Sequence, residues 1–285
     1  MRKYRKPYRV KKKKSISRNR FFWLGVLVLI ISVGIFYLIC FASFFQIKEI
    51  KITGNQKVLT ESLQKIIQNQ IEQKIILGGG WVASSKSIFL VNINRITEDV
   101  LNNFPHIAGV KISRDFPSAL NIIISERIGL TVWCQGEKCF LLDGEGVIFD
   151  PVRNDISNGV EEIFKIQNLM STPELKLGEK VIEKEKLNKI LEIESKLRDY
   201  NPPTTLPQER APNLKISEVS IISEERLNAK TSEGWEIYFN PKKDIDWQLT
   251  KLRAVLEEEI PPEKRKDLEY IELRFGNFAP YKYRD

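Results

Sequence analysis

The sequence predicts an α+β protein with one transmembrane helix at its start. A strand-helix-helix-strand-strand unit follows, then a mixed, β-rich domain with two helices. Three observations predict this. No charged residue occurs from Phe21 to Gln46, and roughly 20 apolar residues suffice for a helix to cross the ~30 Å hydrocarbon core. Two stretches with apolar residues at helical spacing lie between short alternating stretches in the next eighty or so positions. From Leu130 onward, alternation and Gly-containing turns dominate.

The N-terminal feature sets the compartment of the rest. Met1 to Arg20 holds eleven Lys and Arg and no Asp or Glu. Positive charge flanking a span stays preferentially on the cytoplasmic side. The tail is therefore expected inside and everything after Gln46 outside. Cys40-Phe41-Ala42 offers a small-residue cleavage site, but the apolar run exceeds the ~7–15 residues of a signal peptide. A lipoprotein reading through Cys40 conflicts with bulky Ile39. The tail has almost no apolar residues and is expected to be disordered.

The overall charge of +8 belongs to that tail. Setting its eleven positive charges aside leaves −3, so the basic balance describes no nucleic-acid-binding face. Lys11-Lys12-Lys13-Lys14 beside a span fits topology and attraction to anionic lipid. With three Cys the chain is no disulfide-dense scaffold. Cys134 and Cys139 flank Gln135-Gly136-Glu137-Lys138, a tight hairpin loop by composition. Either a cross-strand disulfide or two free thiols fits.

The elements follow in order. Ile50 and Ile52 alternate with charged residues as in a strand, and Gly54-Asn55 turns the chain. Thr60 is a candidate N-cap with Glu61 in the first turn, and Leu63, Ile66, Ile67 and Ile71 share a helix face. Gly78-Gly79-Gly80 breaks that helix, and Ile88 to Val91 reads as a short extended piece. Ile93, Ile96, Val100, Leu101 and Phe104 form a second helical stripe ended by Pro105. Strands are expected over Ile107–Ser113 and Ala119–Glu126, around the turn Asp115-Phe116-Pro117-Ser118.

Beyond Leu130, Thr131–Trp133 and Cys139–Leu142 read as a hairpin, and Asp143-Gly144-Glu145-Gly146 as a turn into Val147–Phe149. Ile163–Ile166 is a further strand. A helix spans about Lys184 to Arg198, stopped by Asn201-Pro202-Pro203, and the segment to Pro212 reads as an exposed loop. Strands near Glu218–Ile222, Arg226–Thr231 and Trp235–Phe239 precede a helix capped by Asp244, with Ile245, Leu249, Leu252 and Leu256 inward. Tyr270–Phe275, with Ile271, Leu273 and Phe275 alternating, reads as the closing strand.

The residues of common enzyme sites are not assembled in the sequence. The single His, His106, has no Gly-x-Ser-x-Gly elbow to serve and reads as a local hydrogen-bonding residue. One His and two Cys five positions apart make no zinc site. Asp143 and Glu145 sit in a Gly-flanked turn, where Asp favours bonds to nearby backbone. Gly78-Gly79-Gly80 lacks the Gly-Lys-Ser/Thr of a phosphate loop. No catalytic, cofactor-binding or metal-ligating residue is assigned, no small-molecule substrate or nucleic acid is expected, and the reading is a protein that binds other proteins.

Specific motifs carry a resemblance. Phe104-Pro105-His106-Ile107, Val110 to Pro117 and Leu120 to Arg127 are similar to the bacterial cell-division family FtsQ/DivIB, whose first outer unit is a POTRA domain. Phe116 stands where that family has Trp, Gly129 where it has Pro and Thr131 where it has Ala, while Trp133 is kept. Leu142 to Phe149 resembles its Val-Asp-x-x-Gly-x-Val-Phe hairpin. Ile271-Glu272-Leu273-Arg274-Phe275 resembles its Val-Asp-Leu-Arg-Tyr strand. Residues 151–212 match poorly.

The resemblance implies residues 1–20 as cytoplasmic tail, 21–45 as transmembrane helix, 46–128 as POTRA domain and 129–285 as the β-rich domain with its C-terminal strand and tail. It implies a non-enzymatic scaffold at the division septum, anchored in the plasma membrane by a single pass. Its partners would be FtsB/DivIC-like and FtsL-like single-span proteins, and through them septal peptidoglycan synthesis. The closing strand is the expected sheet edge for strand addition, with Arg274, Phe275, Gly276, Phe278 and Tyr281 as partner-binding residues. The second helix of the POTRA unit and the strand from Ala119 are further candidate contacts. A POTRA-bearing accessory of protein transport or membrane assembly, and a membrane-anchored wall enzyme, are the alternatives.

Overall fold

The computed structural model describes residues 20–77, 81–84, 86–152, 164–170, 174–198 and 214–284. The basic tail before Arg20, the triple glycine at 78–80, Ile163 and the proline-rich stretch at 201–212 lie outside the described residues. The chain divides into two compact units. One takes in the described residues up to Thr53, with Leu59–Asp99 and Lys111–Ile123; the other takes in Gly54–Val58, Val100–Val110 and everything from Ile124.

In the first unit, α1 (Arg20–Phe41) is a 22-residue apolar helix, long and apolar enough to cross a membrane. The unit continues with β1 (Glu49–Thr53), α2 (Thr60–Ile71), β2 (Lys74–Leu77), β3 (Trp81–Ser84) and most of α3 (Ile93–Asn103). Its parts of β4 (Ile107–Asp115) and β5 (Ala119–Glu126), residues 111–115 and 119–123, complete a three-stranded sheet of order β1-β5-β4. β1 runs parallel to β5, with Ile50 opposite Leu120 and Ile52 opposite Ile122. Leu63, Ile67, Ile88, Ile96, Leu120 and Ile122 are almost wholly buried in this unit, each contributing roughly 1.5–3 kcal/mol of hydrophobic stabilisation.

Three local expectations change here. Leu59, not Thr60, is the N-cap of α2, and it makes no side-chain cap bond. The β2–β3 hairpin on either side of the glycines has no counterpart in the sequence reading. Ile88–Val91 is a turn, not an extended piece: the Leu90 and Val91 N–H groups both donate to the Ser87 carbonyl.

The β-rich part is one nine-stranded sheet. Its strands are β6 (Thr131–Gln135), β7 (Lys138–Leu142), β8 (Ile148–Pro151), β9 (Lys165–Asn168), β10 (Ile216–Ser223), β11 (Arg226–Thr231), β12 (Glu236–Phe239), β13 (Leu268–Glu272) and β14 (Tyr281–Tyr283). Their order is β14-β13-β12-β11-β10-β9-β6-β7-β8. Two helices, α4 (Lys184–Arg198) and α5 (Ile245–Glu258), serve as crossovers between the parallel pairs β9/β10 and β12/β13.

Both crossovers shift the chain one way across strands that point the same way. The right-handed rule for such connections therefore puts both helices on one sheet face. Leu187, Ile190, Ile193 and Leu197 of α4, with Ile245, Leu249, Leu252 and Leu256 of α5, meet Ile166, Val219, Ile221, Leu227, Ile237, Phe239 and Ile271 in a single core. Asp244 caps α5, its carboxylate accepting from the Trp247 N–H at 3.1 Å. On the opposite sheet face Tyr238 stacks on Tyr270 at 4.8 Å, with Arg226 over the Tyr238 ring.

The expected edge is corrected. β13 ends at Glu272 rather than Phe275, and β14 pairs along its outer side, Ile271 opposite Tyr281 and Tyr270 opposite Lys282. The edge strands of the large sheet are β14 and β8.

Candidate functional site

An edge strand offers unpaired backbone N–H and C=O groups, and proteins usually cover them. The β8 edge is covered at its start. Ile148 N–H donates to the Glu179 carbonyl at 3.1 Å, and its own carbonyl accepts from Gly178 N–H at 2.7 Å. Val181 N–H adds a bond to the Gly146 carbonyl, and Pro151 ends the strand. His106 Nε2 lies 3.3 Å from the Asp150 carboxylate, with its ring edge-on to Phe149. The lone histidine thus finishes this edge, in a local polar role.

The β14 edge differs. Among the described residues β14 has a strand neighbour only on the β13 side. The carbonyl of Pro280 accepts from Glu272 N–H at 2.8 Å, and Arg284 N–H donates to the Asp267 carbonyl. Positions 280, 282 and 284 therefore face β13, and the backbone groups of Tyr281 and Tyr283 point away from it, since direction alternates along a strand. The two tyrosine rings meet edge to face at 5.6 Å and pack against the core.

The loop before β14 is built around a buried cation. Lys251 of α5 is 6% exposed. Its Nζ donates to the carbonyls of Leu273 (2.6 Å), Phe275 (2.8 Å), Gly276 (3.2 Å) and Phe278 (3.2 Å). Three ammonium protons are thus shared over four carbonyls. Lys243 Nζ takes the Arg274 carbonyl at 2.9 Å. Burial pushes the Lys251 ammonium below its ordinary pKa and the nearby Lys243 charge adds to this, while Glu272 opposes it.

With the carbonyls turned inward, the Phe275 and Phe278 side chains are left outside, 55% and 71% exposed. Glu272 is buried rather than alternating outward. Its carboxylate accepts from Arg274 Nε at 2.8 Å, from Nη2 at 2.6 Å and from the Arg274 N–H at 3.1 Å. This pair holds the Arg274 guanidinium above its ordinary pKa, with the guanidinium carbon 5.4 Å from the centre of the Phe275 ring.

Of the residues singled out from the sequence, Arg274, Phe275, Gly276 and Phe278 lie together on this loop and Tyr281 lies on the adjoining edge strand. Lys251, Lys243 and Glu272, which shape the loop, were not singled out. Lys251 lies off the apolar stripe of α5, well round the helix from Ile245, Leu249, Leu252 and Leu256, so no sequence signal marks it.

A second polar centre holds the start of the β-rich part. The Glu126 carboxylate accepts from the N–H groups of Gln56, Lys57 and Val58 at 2.8–3.0 Å. Burial alone would raise its pKa, but these backbone donors outweigh it and hold the carboxyl below its ordinary value. Arg127 donates to the Pro105 carbonyl at 3.0 Å and pairs with Asp143. Asp143 also accepts from the N–H groups of Glu145 and Val147, so one oxygen is engaged within the turn and the other by Arg127. Glu145 pairs with Lys184. Cys134 and Cys139, directly opposite in the β6–β7 register, are disulfide-bonded in the structure. Among the described residues, no three His, Cys, Asp or Glu side chains gather as metal ligands would.

Comparison with known proteins gives two family matches. Residues 68–127 match the POTRA domain, FtsQ-type, and residues 131–274 match cell division protein FtsQ/DivIB, C-terminal. A cell division protein DivIB of Clostridium tetani is 23% identical over 252 residues, 87% of this chain and 84% of the relative. A DivIB of Clostridium acetobutylicum is 28% identical over 114 residues, 40% of each chain.

Proposed function

The chain belongs to the FtsQ/DivIB family of cell-division proteins, and we propose that it acts as a non-enzymatic, single-span membrane scaffold at the division septum. The helix α1 is its anchor. The basic residues before it lie in the cytoplasm and the rest of the chain outside, as the positive-inside rule favours. Its partners are FtsB/DivIC-like and FtsL-like single-span proteins, and their recruitment supports septal peptidoglycan synthesis.

The observation that carries the binding mode is the contrast between the two edges of the large sheet. One is covered at its start by backbone bonds, and among the described residues the other is left open beside two exposed phenylalanines. A partner strand adds along β14, its backbone meeting the outward groups of Tyr281 and Tyr283. Phe275 and Phe278 are the apolar anchors, of the kind that dominate interface energy. Arg274, held by Glu272 through two of its five N–H donors, positions Phe275 and presents the remaining donors to a partner carboxylate.

Depletion of the protein in its host, followed by microscopy, tests the reading. Filamentous cells lacking septa are expected; normal septation contradicts it.

A further inference from the structure

The first unit carries an apolar patch that the partner-binding reading does not use. Phe44, Phe89 and Phe116 are 61%, 41% and 57% exposed. They come from three separate chain segments, yet their rings form a continuous row through Phe45. The ring centres lie 5.1 Å apart for Phe44–Phe45, 5.2 Å for Phe45–Phe89 and 5.4 Å for Phe89–Phe116.

The backbone fixes this row at the end of the apolar helix. The 22 residues of α1 span about 33 Å at 1.5 Å per residue, enough for the hydrocarbon core. The uncharged stretch runs on through Phe44 and Phe45, which form a short 3₁₀ turn. The Phe45 carbonyl accepts from Ile88 N–H at 2.9 Å, and Ile47 N–H donates to the Lys86 carbonyl at 2.8 Å. Lys48 N–H donates to the Ser118 carbonyl at 2.8 Å. Arg114 holds the 88–91 turn, donating to the carbonyls of Ile88 (2.7 Å) and Val91 (3.2 Å). Thus the loops bearing Phe89 and Phe116 are bonded to the very residues that leave the helix.

We propose that Phe44, Phe89 and Phe116 form a membrane-resting patch, embedded in the bilayer interface beside the exit of α1. The occupant is lipid because the row is continuous with the span and begins where the hydrocarbon ends. Aromatic and apolar side chains in that position insert ~5–10 Å into the boundary between headgroups and acyl chains. The patch seats the POTRA unit against the membrane at a fixed attitude, in place of a free pivot. It rests on the reading of α1 as a membrane span.

The test uses the full chain in phosphatidylcholine vesicles. A photo-crosslinking benzoylphenylalanine replaces, one at a time, Phe36 within α1, Phe89, Phe116, and exposed Leu59 beyond the far end of β1. Mass spectrometry then reads lipid adducts. Adducts at positions 36, 89 and 116 and none at 59 are expected. Adducts at 36 with none at 89 and 116 overturn the patch while leaving the span intact. Equal labelling at 59 also overturns it, because the patch then has no privileged seat. No adduct at 36 overturns the span reading, and the patch with it.

Discussion

The two edges of the nine-stranded sheet are built to opposite ends. At β8, the backbone of residues 178–181 bonds to the first residue, Ile148, and to Gly146 in the turn before it, Pro151 stops the strand and His106 meets Asp150. At β14, β13 is the one strand neighbour among the described residues, and the preceding loop is turned inside out by Lys251 so that its phenylalanines face solvent. Covering one edge prevents unwanted strand pairing. In the proposed reading, the open edge and the loop shaped by buried Lys251 confine pairing to one place. The difference teaches that a candidate site of association can be read from what a fold leaves uncovered.

The comparison is open to experiment at several strengths. Gly146, at φ +84°, sits where an added Cβ would lie 2.1 Å from the Ile182 carbonyl oxygen. Gly146→Ala therefore destabilises the domain by about 3 kcal/mol in denaturant unfolding. The affinity of the folded fraction for the partner stays unchanged; a weakened affinity would mean that the β8 edge also binds.

Phe275→Ala and Phe278→Ala each weaken partner binding by about 2 kcal/mol in calorimetry. The unfolding midpoint stays nearly fixed because both side chains are exposed. Unchanged affinity in both variants removes the loop from the interface. Lys251→Met leaves four carbonyls without their donor, and is expected to lower stability by about 2 kcal/mol and weaken partner binding about tenfold. Lys251→Arg restores part of the binding. A methionine variant that is destabilised yet binds at full strength would make Lys251 a core residue only.

The smallest effect lies away from both edges. The lowered pKa of Glu126 means its contribution to stability is full above the ordinary value of 4.5 and is lost as pH falls through the lowered folded value. Glu126→Gln is expected to flatten this acid limb of the stability curve and to leave partner binding at neutral pH unaltered. An unflattened limb would place the acid sensitivity in other carboxylates.

Much of the fold is legible because it rests on periodicity. The stripes Leu187–Leu197 and Ile245–Leu256 mark α4 and α5, and Asp244 announces a helix start. What was not legible depends on partners distant in sequence. Alternation of Ile271, Leu273 and Phe275 predicts a strand to Phe275, but a lysine more than twenty positions earlier captures the carbonyls of Leu273, Phe275 and Gly276 and ends the strand at Glu272. Tyr281–Tyr283 is too short, and too close to Pro280, to show a period. The turn at 88–91 is held by Arg114, whose bond to the Ile88 carbonyl spans 26 positions. The candidate loop was found from its aromatic residues, whereas the cation that shapes it looked like any surface lysine.

Hydrogen exchange read by mass spectrometry tests the account of the β14 edge most directly. The full chain in lipid nanodiscs is compared alone and with the proposed DivIC-like partner. The account predicts that exchange at Tyr281 and Tyr283 slows on binding while Ile148–Pro151 is unchanged. A complex that forms with no added protection at Tyr281 and Tyr283, or with protection at Ile148–Pro151 instead, contradicts it.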